Sequence, residues 1–271
     1  MEFAIRPQPR LRIGWRELWA HRELFYFFAW RDIKVRYKQT AVGALWAIFQ
    51  PLMTMVVFTL FFNKVAGIKS GNLPYAVFSY TGLLFWNFFS TALTNASNSL
   101  VSNQAVITKI YFPRLVMPLA ATIVSLVDFF FALIVFAGLM LYYRIVPGVV
   151  GVLLFVPVLV ASFVAASGIG MFLAAVNVKY RDVRYALPFF IQTLLFLTPV
   201  IYPVSLLPAK FQWFLYLNPM TGAISTVRSG LLHDGSIHWG LVGISLATTL
   251  LLFVVGLVYF RSQERKFADL I

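Results

Sequence analysis

The chain has 271 residues, 61% of them hydrophobic and 11% charged, where a soluble domain carries about 25% charged residues. A chain this apolar is an integral membrane protein, and the lack of any cysteine removes disulfide frameworks and thiolate metal sites from consideration. The net charge of +13 does not mark a nucleic-acid binder, because the basic residues gather at the ends of apolar segments, as membrane topology requires.

Residues 1–40 are expected to form a cytoplasmic segment with no cleavable signal, since the first apolar run is too long for a signal h-region. Within it Trp15, Leu18 and Trp19 share one helical face, with Arg16, Glu17, His21 and Glu23 elsewhere on the wheel. That spacing predicts an amphipathic helix in the inner interface, serving as a docking or substrate-admission element or as a surface anchor. The tract from Trp30 to Pro51 then passes from a basic face, with Arg31, Lys34, Arg36 and Lys38, directly into an apolar run.

About 20 apolar residues cross the hydrocarbon core as a helix. Six spans are predicted, at about 41–62, 76–100, 115–142, 149–176, 185–202 and 238–260, making residues 41–271 one six-span, all-α domain. With both termini inside, the inner segments hold seventeen Lys and Arg and the outer segments five: Lys64, Lys69, Arg144, Lys210 and Arg228. That bias sets an N-in, C-in topology.

Span two carries Asn87, Thr91, Thr94, Asn95 and Asn98 on one helical face, flanked by Ser90 and Ser97. Such a stripe either lines a hydrated conduit, which its length favours, or hydrogen-bonds to neighbouring helices. Asp128 is the one carboxylate inside a span, about 21 Å along its helix from Arg114. A carboxylate there is costly and faces the bundle interior; a structural contact to another span is favoured over a part in a transport path. Gly168 and Gly170, with Ala165, Ala166, Ala174 and Ala175, superficially suggest a dinucleotide loop, but inside a span small residues serve close helix packing.

The stretch 199–237 is apolar and aromatic, yet Pro199, Pro203, Pro208 and Pro219 interrupt it. Proline breaks helices, and irregular backbone at membrane depth must be buried in protein or line a cavity. A pair of short re-entrant helices over 203–235, dipping from the outer face, explains both properties; an ordinary external loop is the alternative. Aromatic residues near span ends suit the interfacial belt. Phe49, Phe58, Phe89, Phe196, Tyr202, Phe211, Trp213 and Tyr216 sit deeper or in the broken region, where flat faces can stack on sugar rings or pack in the core.

Nothing supports catalysis by this chain. The nine carboxylates and three histidines form no paired or clustered constellation, so no catalytic or metal site is expected. There is no phosphate-binding loop of the Gly-x-x-x-x-Gly-Lys-Ser/Thr kind, so the chain is not expected to hydrolyse ATP.

Five stretches together resemble the membrane subunit of type II ABC exporters, in the O-antigen and polysaccharide export branch. They are the tract from Trp30 to Pro51, Ile107-Thr-Lys-Ile-Tyr-Phe-Pro-Arg114, Asn177-Val-Lys-Tyr-Arg-Asp-Val-Arg-Tyr185, Pro199-Val-Ile-Tyr-Pro203 and Leu217-Asn-Pro-Met-Thr-Gly222. The resemblance implies a homodimer in the bacterial inner membrane, with a continuous channel and two copies of a separate ATPase that holds ATP and Mg. It implies that the N-terminal helix and the first inner loop meet that ATPase, which makes Trp15, Trp19, Lys109, Tyr111 and Arg114 docking candidates. It also implies that the broken segment gates the outer mouth, with Phe211, Trp213 and Tyr216 as gate candidates. The cargo would be a glycan on a polyprenyl pyrophosphate, so Arg31, Lys34, Arg36 and Lys38 become headgroup candidates, unless they only set topology and meet anionic lipid. Asn87, Thr91, Thr94, Asn95, Asn98, Phe49, Phe58, Phe196 and Tyr202 become channel-lining candidates. The rival expectations are a permease for drugs or small hydrophobic molecules, an integral-membrane glycosyl- or prenyltransferase, and a membrane scaffold.

Overall fold

A computed structural model describes residues 19–38, 44–71, 73–110 and 112–267. Trp15, Leu18 and Tyr111 lie outside the described residues. The described chain is helical, with α1 Arg22–Lys38, α2 Ala44–Phe58, α3 Tyr75–Ser102, α4 Gln104–Ile107, α5 Val116–Tyr142, α6 Val149–Lys179, α7 Val183–Leu197, α8 Ala209–Leu215, α9 Pro219–Leu232 and α10 Trp239–Gln263. A π-helical segment, Thr59–Val65, continues α2, and single 3₁₀ turns lie at Val204–Leu206 and Glu264–Lys266.

Four helical stretches are long and apolar enough to cross a membrane: Leu45–Val65, Val116–Tyr142, Val149–Lys179 and Trp239–Gln263. This differs from the six spans expected, and the two exceptions have separate physical causes. With 28 residues, α3 has ample length but is too polar, because of its Asn, Thr and Ser residues. It is nonetheless the central helix, packed on by α2, α5, α6 and α9, and most of its residues are buried. Protein neighbours stand where lipid would otherwise meet those polar groups. The other exception, α7, is apolar but has only 15 residues, about 22 Å of helix. The span expected to reach 202 stops at Leu197, because Thr198 adopts an extended conformation ahead of Pro199, as the residue before proline prefers.

The core has two parts. One surrounds α3, where the Phe129 ring lies edge-on to Phe85 and Phe88 and meets Phe155, while the Tyr80 hydroxyl donates to Ala132 O at 3.0 Å. The other joins Phe28 of α1, Phe112, Leu115, Met171, Phe260 and Phe267. Beside it the Arg114 N–H donates to Glu264 Oε1 at 3.0 Å, the Arg114 guanidinium donates to Glu264 O, and Arg261 pairs with Glu264 at 2.7 Å. The small-residue stretch of α6 is a packing surface. A Cβ at Gly256 would fall 1.9 Å from Gly168 O, and one at Gly168 would fall 2.5 Å from the Phe253 Cα. At the other end of α6, a Cβ on Gly151 would meet Leu231 N at 2.2 Å, so α6 and α9 also touch through backbone.

Arg228, which the topology count placed in an outer segment, is not a solvent-facing charge. It lies on α9 and is only 4% exposed. Its guanidinium donates to Phe78 O (2.8 and 3.2 Å), Pro199 O (2.5 Å) and Val200 O (2.8 Å), and it lies 3.5 Å from the Phe78 ring centroid. Gly82 makes room for it, since a Cβ there would sit 2.7 Å from Nη2. The turn that ends α7 leaves carbonyls pointing inward without helical partners. Arg228 satisfies two of them and ties that turn to α3 and α9. A proline-broken segment can be buried because a side chain replaces the missing backbone donors.

Candidate functional site

A cavity of about 580 Å³ lies where α1, α2, α3 and α5 meet. Its polar wall holds Arg36 and Tyr37 from α1, Gln50 from α2, Asn87, Ser90 and Thr91 from α3, and Asp128 from α5; Trp46, Leu84, Phe88 and Phe129 give it apolar surface. The charged corner is ordered by Asp128, whose two oxygens accept from different donors: Oδ2 from the Arg36 guanidinium and Oδ1 from the Tyr37 hydroxyl. The Tyr37 ring also lies edge-on to Phe131, at 6.0 Å. Burial, then the Asp128 carboxylate, push the Tyr37 hydroxyl pKa well above its ordinary value, with Arg36 opposing. Tyr37 therefore stays a protonated donor. The partners of Asp128 sit on α1 and not on another long helix, which the sequence reading favoured.

The four basic candidates on α1 separate. Arg31 is held by Asp32 and Asn103, each at 2.7 Å, and lies over the Phe28 ring. Lys34 lies over Trp30, with Nζ 5.7 Å from the ring centroid, and Lys38 is exposed. Only Arg36, on a different face from the other three, lines the cavity.

The polar stripe of α3 divides along its length. Asn87, Ser90 and Thr91 face the cavity. Farther along, Asn95 Nδ2 donates to Ser125 Oγ at 3.1 Å, and Asn177 of α6 donates to Ser97 O at 3.0 Å and Asn98 Oδ1 at 3.2 Å. Thr94 donates to Ser90 O and accepts from Asn98 Nδ2 through its own carbonyl. One half thus borders open space and the other bonds helices together.

The aromatic candidates also scatter. Phe49 is exposed and stacks on Trp46 at 5.6 Å, and Phe196 is exposed. Phe58 packs in the core edge-on to Phe62, and the half-buried Tyr202 donates to Leu197 O at 3.2 Å. Phe211 and Trp213 are exposed on α8, whereas Tyr216 is buried beside it. Of the docking candidates, Trp19 and Lys109 are exposed, Ile110 beside Lys109 is an exposed apolar residue, and Arg114 is engaged with Glu264. Among the described residues no group of three or more His, Asp or Glu is placed to hold a metal ion.

Sequence reasoning missed Tyr37 and Gln50 at the cavity and the keystone role of Arg228. The usable signal was Asp128 itself, since a carboxylate in a span demands donors. Its partners are 91 and 92 residues away, and no local spacing reveals them.

Residues 23–232 match the ABC-2 type transporter family, and the chain belongs to that family. It is a multi-pass membrane transport subunit. The chain is 28% identical over 241 residues to the O-antigen export system permease protein RfbA of Klebsiella pneumoniae, covering 89% of this chain and 92% of that protein. It is 27% identical over 258 residues to the protein of the same name in Myxococcus xanthus, covering 94% and 97%. The polysialic acid transport protein KpsM of Escherichia coli is 24% identical over 243 residues, covering 86% and 91%.

Proposed function

We propose that this chain is the permease subunit of an ATP-driven exporter that carries polyprenyl-pyrophosphate-linked polysaccharide, O-antigen in particular, across the bacterial inner membrane. The observation that carries the reading is the cavity in which Arg36 meets a wall of amide and hydroxyl groups. A guanidinium suits a phosphate, and neutral hydrogen-bonding groups suit a sugar. Relatives named for O-antigen export and polysialic acid transport support the cargo class.

In this reading α2, α3, α5, α6, α7 and α10 are the six spans, both termini are cytoplasmic, and α1 lies at the inner interface. Two copies form the channel. Arg36, with Arg31, Lys34 and Lys38 nearby, meets the pyrophosphate; Asn87, Thr91, Phe49, Phe196 and Tyr202 border the path at successive levels, while Thr94, Asn95 and Asn98 fix the helices behind it and Phe58 packs in the core. The helices α8 and α9 are re-entrant over 203–235, and Phe211, Trp213 and Tyr216 belong to the outer gate. Two copies of a separate ATPase, which holds ATP and Mg, dock on the inner face through the N-terminal segment with Trp15 and Trp19 and the loop with Lys109, Tyr111 and Arg114. The chain itself performs no bond chemistry. It presents a polar route and changes shape when the ATPase does.

Depletion of the protein in its native cell, followed by location of the lipid-linked glycan, tests this. Full-length glycan trapped on the inner side is expected. A normal surface glycan would transfer the role to smaller hydrophobic cargo, and a glycan never assembled would point to an enzyme.

A further inference from the structure

A second cavity, about 240 Å³, lies apart from the first, between α8, α9 and the turns at 203–205 and 234–238. Its wall is rich in neutral polar groups and contains one carboxylate, Asp234. The backbone places that carboxylate firmly. α9 ends at His233 with φ 58°, the Asp234 N–H donates to Arg228 O at 3.2 Å, and the Ser229 hydroxyl donates to Asp234 O at 3.0 Å.

The side chain of Asp234, by contrast, accepts no hydrogen bond from any described residue, although it is half-buried. Burial raises its pKa, with the charge of Arg228 opposing. A carboxylate is an acceptor only, and leaving one partly desolvated without donors is costly. Its natural complement is a ligand that brings O–H donors. Arg228 cannot turn the cavity into an anion site, because four of the five N–H donors of an arginine are already engaged with the carbonyls of Phe78, Pro199 and Val200. Asp234, which unlike Asp128 forms no ion pair with a described residue, would itself repel an anion. Elsewhere on the wall, Gln212 donates to Leu207 O and keeps its amide oxygen for a donor, and the Ser225 hydroxyl has no partner among the described residues. Tyr216 adds an apolar face. The volume is below the 300–1,000 Å³ of drug-sized sites, which suits a single ring.

We propose that this cavity is a saccharide subsite, holding one neutral pyranose of the exported glycan with adjacent hydroxyls donating to Asp234. The inference rests on the polysaccharide reading above. It adds a place on α8 and α9 where the polymer is gripped, distinct from the Arg36 cavity that would take the charged end.

The test uses the full chain, assembled with its ATPase in lipid nanodiscs, and saturation-transfer NMR with a panel of methyl glycosides. The panel holds neutral hexoses and 6-deoxyhexoses, with a hexuronic acid as the anionic comparison. At least one neutral glycoside is expected to bind and the hexuronate to bind more weakly. Asp234→Asn should weaken binding tenfold or more, since a bond to a charged group is lost, and Ser225→Leu, which fills the cavity, should abolish it. If Asp234→Asn fails to fold, Ser225→Leu with Gln212→Ala decides. Binding equal in wild type and variants, or a hexuronate preferred over every neutral sugar, overturns the subsite. If no glycoside binds while depletion still traps glycan inside the cell, the subsite falls and the export reading stands. If depletion leaves the surface glycan normal, the export reading falls and takes the subsite with it.

Discussion

Replacing Asp128 tests whether α1 is fastened to the bundle at the cavity. In Asp128→Ala the Arg36 guanidinium and the Tyr37 hydroxyl lose their shared acceptor together. The two charged side chains retain 33% and 25% exposure, so the pair is neither a surface pair nor a fully buried one. Two unit charges about 4 Å apart attract by about 4 kcal/mol at an effective dielectric constant of about 20, and desolvation of both ions offsets much of that. Surface pairs contribute up to about 1 kcal/mol, and breaking one partner of a buried pair costs about 3–5 kcal/mol. For this geometry we expect Asp128→Ala to cost about 2–3 kcal/mol, and a coupling energy of about 1–2 kcal/mol with Arg36→Met. The assay is a double-mutant cycle read by reversible chemical unfolding of the purified protein in micelles, with export measured on the same four proteins. Additivity within about 0.5 kcal/mol would refute the fastening, because two groups that truly share an ion pair cannot be lost independently.

Gly256→Ala should lower stability by about 1–3 kcal/mol, since its new methyl would meet Gly168 O at 1.9 Å and force α6 and α10 apart; an unchanged melting temperature would show that the interface has slack. Arg228→Met strands the carbonyls of Pro199 and Val200 and should cost about 3 kcal/mol or more, read as loss of monodisperse protein on size-exclusion chromatography, with wild-type yield counting against the keystone role. Neutralising Arg31 and Lys34 together, as Arg31→Gln with Lys34→Gln, should slow export while insertion stays correct; unchanged export would leave these two only topological work. Ile110→Asp, on an exposed apolar side chain beside Lys109, should weaken co-purification of the ATPase without changing the melting temperature, and full co-purification would move the docking surface elsewhere.

Hydropathy made much of the fold legible. The apolar runs expected at 115–142, 149–176 and 238–260 correspond to helices Val116–Tyr142, Val149–Lys179 and Trp239–Gln263. These are helices whose outward faces are apolar whatever they pack against, so composition alone reveals them. The end of α7 was misplaced because apolarity continues through Pro199 to Tyr202 while the backbone turns. Gly168 could be read as a packing position, but its pairing with Gly256 could not. What stayed hidden were contacts between distant segments. Arg36 and Asp128 look like an isolated basic face and an isolated acid, and Arg228 looks like a loop charge until the carbonyls that surround it are placed. Sequence shows where a polar group is awkward; only the assembled helices show what answers it.

The burial of α3 has a bearing on how the protein is made. A helix crosses from the translocon into lipid on its own when its side chains prefer hydrocarbon to water, and polar residues near the middle weigh against that step. α3 has no charge, but the amides of Asn95 and Asn98 find their partners in Ser125 of α5 and Asn177 of α6, both synthesised after it. In the topology proposed above, where α3 is the second crossing, a nascent chain that ends near Ser102 has those groups unmet. Release of α3 into the bilayer is therefore expected to wait for later helices, so that insertion is a cooperative event of several segments and not a succession of independent ones. Mutations in α5 or α6 that remove those partners would then surface first as a biogenesis defect, with the half-made chain recognised by membrane quality control before any transport could be measured.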